Sequence, residues 1–111
     1  MITDKPFDMD DKFGDPSFRK IPSTAAMDQL MITHDYYDHR NADKDVNIVF
    51  PIDVLHKYRA DGLVGSVSDF FYSFMGHING SHVKTLVEVT AVAVARELKL
   101  QGVDAVILVP A

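Results

Sequence analysis

The chain contains no cysteine. That excludes disulfides and thiolate metal sites, though it does not fix the redox compartment. It has no run of about 18 apolar residues, the length a transmembrane helix needs. It shows no secretory leader pattern, since Met1 is followed by Asp4, Asp8, Asp10 and Asp11 rather than by an apolar stretch. It also lacks a basic excess: 16 acidic residues outnumber 11 basic ones, for a net charge of -5. Nucleic acid and anionic membranes, which recruit proteins through a basic face, are therefore not expected partners. Glutamate is nearly absent. Fourteen of the acids are Asp, and ten of these precede residue 50. Asp favours turns and caps over helix interiors, so the first half should be rich in loops. There is no internal repeat and no low-complexity tract. These absences leave a soluble, cytoplasmic, single-domain chain as the expectation.

What is present is a normal apolar fraction of 47% over 111 residues. A chain of this size can bury roughly 65% of its unfolded surface. The closing run, Val103-Asp104-Ala105-Val106-Ile107-Leu108-Val109-Pro110-Ala111, is aliphatic and β-branched, the pattern of a buried parallel strand. A long helix over about 82–101 precedes it, capped by Ser81 and ended by Gly102. Val83, Leu86, Val87, Thr90, Ala91, Val94 and Leu98 form one apolar face of that helix, and Val89, Val92 and Ala93 a second, so it should be buried on most sides. A shorter helix over about 51–61 is marked by Pro51 in its first turn and Gly62 beyond its end. Further strands are expected at 29–33 and 63–68, with a brief extended piece at 46–50. Residues 1–28 read as an irregular arm anchored by Phe7, Phe13 and Phe18, with a short helix through Asp28 capped by Ser23 or Thr24. Residues 29–111 read as the core. The expected fold is α/β: a partial open parallel sheet with flanking helices, a three-layer fragment of the Rossmann or flavodoxin kind. A sheet left partial would keep an edge and an apolar face uncovered, with Phe70, Phe71 and Phe74 nearby, so self-association into a homo-oligomer is expected.

Chemistry is sparse. The polar stretch from His34 to Asp45 carries two His and four Asp. It suits either a site for a divalent metal or a substrate ammonium, or a loop stitched by Asx turns. His34 and His39 stand five apart, which matches neither the HExxH pattern nor a calcium loop, so no metal site is assigned. Phe70 to Gly76 suits core or interface packing better than a ligand pocket. Ser81-His82-Val83-Lys84 spells S-x-x-K without the rest of that signature. Ser81 has an alternative role as a helix cap, and His56 is most simply a packed or surface histidine.

The ordered series Phe18-Arg19-x-Ile21-Pro22-Ser23, Leu30-Met31-x-Thr33-His34, Asp38 and Asp43-x-Asp45-x-Asn47-x-x-Phe50-Pro51-x-Asp53-x-Leu55 resembles the selenoprotein B family. Gly62, Val67, Phe74-Met75-Gly76 and Gly102-Val103-Asp104-Ala105-Val106 continue the resemblance in order. Members are the substrate-side subunits of glycine, sarcosine, betaine and D-proline reductases. The resemblance implies a selenocysteine or cysteine nucleophile just after Ala111, outside the sequence, so no catalytic residue is assigned within it. A UGA codon read as stop would end a chain here. It implies a pyruvoyl group on a partner reductase subunit that activates the nitrogen of a small amino-acid substrate. A selenolate, ionised at neutral pH, would attack the α-carbon and break the C–N bond, which is covalent nucleophilic catalysis. His34, Asp38, Asp45, Asn47, Phe74, Met75 and Gly76 become the candidate substrate-binding residues. No cofactor is assigned to this chain itself. Two other classes remain open: an amino-acid racemase-like domain, which would need cysteines the chain lacks, and a non-enzymatic oligomerising or binding module.

Overall fold

A computed structural model describes residues 5–9, 11–32 and 38–110. Its only sheet among those residues is a two-stranded antiparallel one. Strand β1, Phe18–Pro22, pairs with β2, Phe70–Phe74, in the register Phe18↔Phe74, Lys20↔Tyr72 and Pro22↔Phe70. Strand β2 suits the pleat, being aromatic at all positions but Ser73, while β1 contributes Phe18 and Ile21. Pro22 lies at the end of β1, where a missing N–H costs least. Residues paired across the ladder share a face. Phe18 meets the rings of Tyr72 and Phe74 at 5.8 and 5.9 Å, while Phe71 points the other way and takes Phe50 edge-on at 5.5 Å.

The expected parallel, Rossmann-like sheet is thus corrected: the described strands are antiparallel, and one lies in the segment read as an irregular arm. Val46–Ile48 forms a 3₁₀ turn in place of an extended piece. The amides of Leu63 and Val64 fold back onto the Tyr58 carbonyl, so 63–68 closes helix α1 and continues as coil. Residues 103–110 form neither strand nor helix, and Val106, Ile107, Leu108 and Val109 are 41–86% exposed. An apolar run states what burial would favour. A strand also needs a neighbouring backbone to pair its N–H and C=O groups, and no described segment lies alongside. The 29–33 stretch begins with a 3₁₀ turn, Met27–Gln29, and Met31 is exposed; Thr33 lies outside the described residues.

The helices follow the expectation more closely. Helix α1, Ile52–Ala60, starts after Pro51 and ends with Gly62 at φ 76°, a left-handed value that favours glycine. The second helix begins after Gly80, which takes the N-cap position in place of Ser81. It runs as α2 (Ser81–Thr85), a π turn (Leu86–Thr90) and α3 (Ala91–Leu100). Only Val94 is fully buried on it, and Val83, Val87, Val89 and Val92 are exposed. The expectation of burial on most sides is corrected: Val83, Val87 and Ala91 of the first apolar face and Val89 and Val92 of the second are exposed, and the π turn breaks the continuity of both. Among the described residues the buried apolar side chains are few: Ala42, Ile52, Met75 and Val94. The surface is 7912 Å², against about 6100 Å² for a self-contained protein of 12.4 kDa.

Candidate functional site

Three polar clusters stand on this frame. The first is the loop region singled out by sequence. His34 lies outside the described residues. Asp38 is exposed and grips Arg40 through both carboxylate oxygens, at 2.8 and 2.6 Å, and this contact lowers its pKa. His39 meets Asp43 at 2.8 Å. Asp45 caps the Val46–Ile48 turn, accepting from the Asn47 amide at 3.0 Å. The Asn47 side chain donates to Asp45 and Asp53 and accepts from the Asp53 N–H at 3.1 Å. So Asp45 and Asn47 stitch the loop to the start of α1, as an Asx-turn reading foresees.

The second cluster contains the other candidates. Phe74 ends β2, and Gly76 is exposed beyond it. Met75 between them is 7% exposed, with the Asp15 N–H 3.2 Å from its sulfur. It is held by an N-terminal clasp that sequence reading missed. Gly14, at φ 81°, passes so close to His77 that an added Cβ would lie 1.7 Å from the His77 carbonyl oxygen. The Phe13 carbonyl accepts from Asn79 N–H at 2.8 Å, and the Gly14 carbonyl pairs with His82 Nδ1 at 2.7 Å. His82 Nε2 lies 3.6 Å from Asp11. Asp15 gathers the Asp8 N–H, the Ser17 N–H and hydroxyl, and Arg19. Burial alone would raise its pKa. The Ser17 hydroxyl, the Asp8 and Ser17 amides and Arg19 outweigh that and bring it down to about 2. Among the described residues no hydrogen bond or ion pair joins Asp38, Asp45 or Asn47 to Phe74, Met75 or Gly76, so the structure leaves the candidates as two groups.

The third cluster ties the sheet to α3. Glu97 accepts from Lys20 at 2.6 Å and from the Tyr72 hydroxyl at 2.7 Å, and Gln101 donates to that hydroxyl at 2.9 Å. Lys20 holds the Glu97 carboxyl below its usual range, Tyr72 adding to the effect, and Glu97 in turn raises Lys20. Burial pushes the Tyr72 phenol up, with the Glu97 contact second. These partners lie 25 and 77 positions apart, so no local signal could have shown them. The alternation of β1 and β2 does put Lys20 and Tyr72 on one face.

An open depression of about 420 Å³ is lined by Lys5, Phe18, Arg19 and Lys20. Two of its three cations are already paired, with Asp15 and Glu97, which leaves little unbalanced charge for an anion. Among the described residues no group of three or more His, Asp or Glu is arranged to hold a metal ion. Nor is any helix there long and apolar enough to cross a membrane.

Comparison with known proteins gives the chain its relatives. The family described as glycine/sarcosine/betaine reductase selenoprotein B matches residues 10–111. The D-proline reductase subunit gamma of Acetoanaerobium sticklandii is 38% identical over 108 residues, covering 97% of this chain and 43% of that protein. The glycine reductase complex component B subunit gamma of Carboxydothermus hydrogenoformans is 36% identical over 97 residues, 87% of this chain and 21% of the relative. The betaine reductase complex component B subunit beta of Peptoclostridium acidaminophilum is 37% identical over 79 residues, 68% and 16% respectively. The chain therefore spans less than half the length of these curated relatives. No solved structure matches it. The match of the family over residues 10–111, together with a relative 38% identical over 97% of the chain, places this protein in the glycine/sarcosine/betaine reductase selenoprotein B family.

Proposed function

We propose that this chain is a part of the substrate-side subunit of an amino-acid reductase, with D-proline or a similar N-substituted amino acid as substrate. The observation that carries the reading is the D-proline reductase relative, which aligns with 97% of the chain and shares more of its own length with it than the glycine and betaine reductase relatives do. The reaction is a reductive cleavage: the bond from the α-carbon to nitrogen breaks, the carbon gains a proton and an electron pair, and nitrogen leaves as an amine. For D-proline the product is 5-aminopentanoate. A dithiol supplies the two electrons.

In this reading the nucleophile is a selenocysteine or cysteine beyond Ala111, and a pyruvoyl group on a partner subunit activates the substrate nitrogen. This chain's own residues bind and orient. Asp38 carries a surface carboxylate, held by Arg40 through both oxygens, that a substrate cation would have to take over, and Asp45 and Asn47 shape the loop beside it; His34, the fourth candidate of this group, lies outside the described residues. Phe74, Met75 and Gly76 form a second, separate group, with Met75 fixed by the clasp. We place the subunit in the cytoplasm and expect it to associate with further copies of itself as well as with its partner subunit. The excess surface and the exposed valines of α2 and α3 support that association.

Two experiments test the reading. Reading the coding sequence past the Ala111 codon should show an in-frame selenocysteine or cysteine codon and further coding; a stop followed by no coding sequence would sink it. With the partner subunit and a dithiol present, the full-length protein should convert D-proline faster than glycine or betaine. Asp38→Asn should then raise KM about tenfold, the scale of one lost charged contact, and leave stability unchanged. An unchanged KM removes Asp38 from the site.

A further inference from the structure

The helix from Ser81 to Leu100 is not regular. Between Leu86 and Thr90 it opens into a π turn, in which the Ala91 N–H bonds the Leu86 carbonyl five residues back. The Thr90 hydroxyl donates to the same carbonyl at 3.3 Å. A π turn holds one residue more than an α turn, so everything after it is rotated back by roughly 100°. The burial pattern records this. In an unbroken α-helix the face of His82 would continue through Val89, Ala93, Arg96 and Leu100, at spacings of 7, 11, 14 and 18. The residues turned toward the body are centred on Thr90, Val94 and Glu97, each one place later, with Ala93 and Leu98 half-buried on either side and Gln101 reaching the Tyr72 hydroxyl from an exposed position. Val89 and Leu100 are left 60% and 88% exposed.

The two registers differ in what they present to the sheet. The α register turns two large apolar residues inward, but it brings the Arg96 cation to the place beside Lys20. The π register gives up that burial and brings Glu97 to Lys20 and Tyr72, with Gln101 closing onto the same hydroxyl. We propose that the Lys20–Tyr72–Glu97–Gln101 cluster is a register lock that holds the helix in its π form and so sets the direction in which Gly102 and the segment 103–110 leave it. This inference goes beyond the catalytic reading and does not depend on it.

The test exchanges the two charges. In the double variant Arg96→Glu, Glu97→Arg, the α register places the acid beside Lys20 and the π register places a cation there. The Ala91 N–H, followed by NMR scalar coupling across its hydrogen bond, should change partner from the Leu86 to the Val87 carbonyl. If Ala91 stays bonded to Leu86, the cluster is not the lock. Deleting Val89 guards against a swap that fails to fold. It removes the extra residue and leaves Thr90, Val94, Glu97 and Gln101 on the same face of a regular helix. The shortened chain should melt no lower than its parent, and the Tyr72 phenol should still titrate above its ordinary value. A lower Tm, or a Tyr72 returned to the ordinary value, overturns the proposal.

Discussion

The N-terminal clasp and the C-terminal run reverse what their compositions suggest. Residues 5–17 are polar and broken by Pro6, Gly14 and Pro16, yet Asp15, Phe13 and Gly14 are bonded across 60 or more residues to Met75, Asn79 and His82. Residues 103–110 are almost wholly apolar, yet Asp104 to Pro110 are exposed. The polar segment carries donors and acceptors that specify partners at a distance, together with a glycine that allows close approach. The apolar segment carries only a preference for leaving water, which any sufficiently apolar partner would satisfy. Specific bonding can fasten a short loop to a small body; burial needs a body large enough to cover the run.

The widest separation between the two regions should come from Gly14→Ala. The positive φ and the clash with the His77 carbonyl oxygen should cost about 2–4 kcal/mol and detach the clasp, read by urea unfolding. A loss under about 0.5 kcal/mol would mean the clasp contributes little. Acid should act next. The Asp15 pKa is lowered on folding, so its contribution is present above the unfolded value of about 3.9 and is lost as pH falls toward about 2. Tm measured from pH 5 to pH 2 should fall in that window, and Asp15→Asn should flatten the fall; an unchanged slope in the variant would reassign it to other carboxylates. His82→Ala should cost about 1 kcal/mol, the worth of one hydrogen bond to the Gly14 carbonyl, and should raise hydrogen exchange at Asn79. Least should come from the apolar run. Leu108→Ser should stay within about 0.5 kcal/mol in unfolding, since that side chain is 86% exposed, and should lower self-association in sedimentation. A large loss of stability there would show the run to be packed and would erase the contrast.

Legibility followed the range of the physics. Helix α1 was readable from Pro51, Gly62 and the apolar positions between, because helix ends are decided by neighbours a few residues away. Asp45 as a cap and Asn47 as a stitch were readable in kind, as an Asx-turn loop, for the same reason. The sheet was not. Pairing Phe18 with Phe74 spans 56 positions, and the short β1 sits in a stretch whose prolines argued for an irregular arm. The π turn was equally hidden, since its residues fit a regular helix and only the placement of Glu97 and Gln101 against Tyr72 reveals the shift.

The amino-acid sequence by itself determined the family, through motifs spread in order from Phe18 to Val106, and it determined helix α1, whose end signals and periodicity are local. Tertiary structure alone decided that the strands run antiparallel, that Met75 is buried beneath Asp15, and that Glu97 rather than Arg96 meets Lys20. These outcomes depend on which distant groups come within hydrogen-bond reach, and local periodicity carries no record of that.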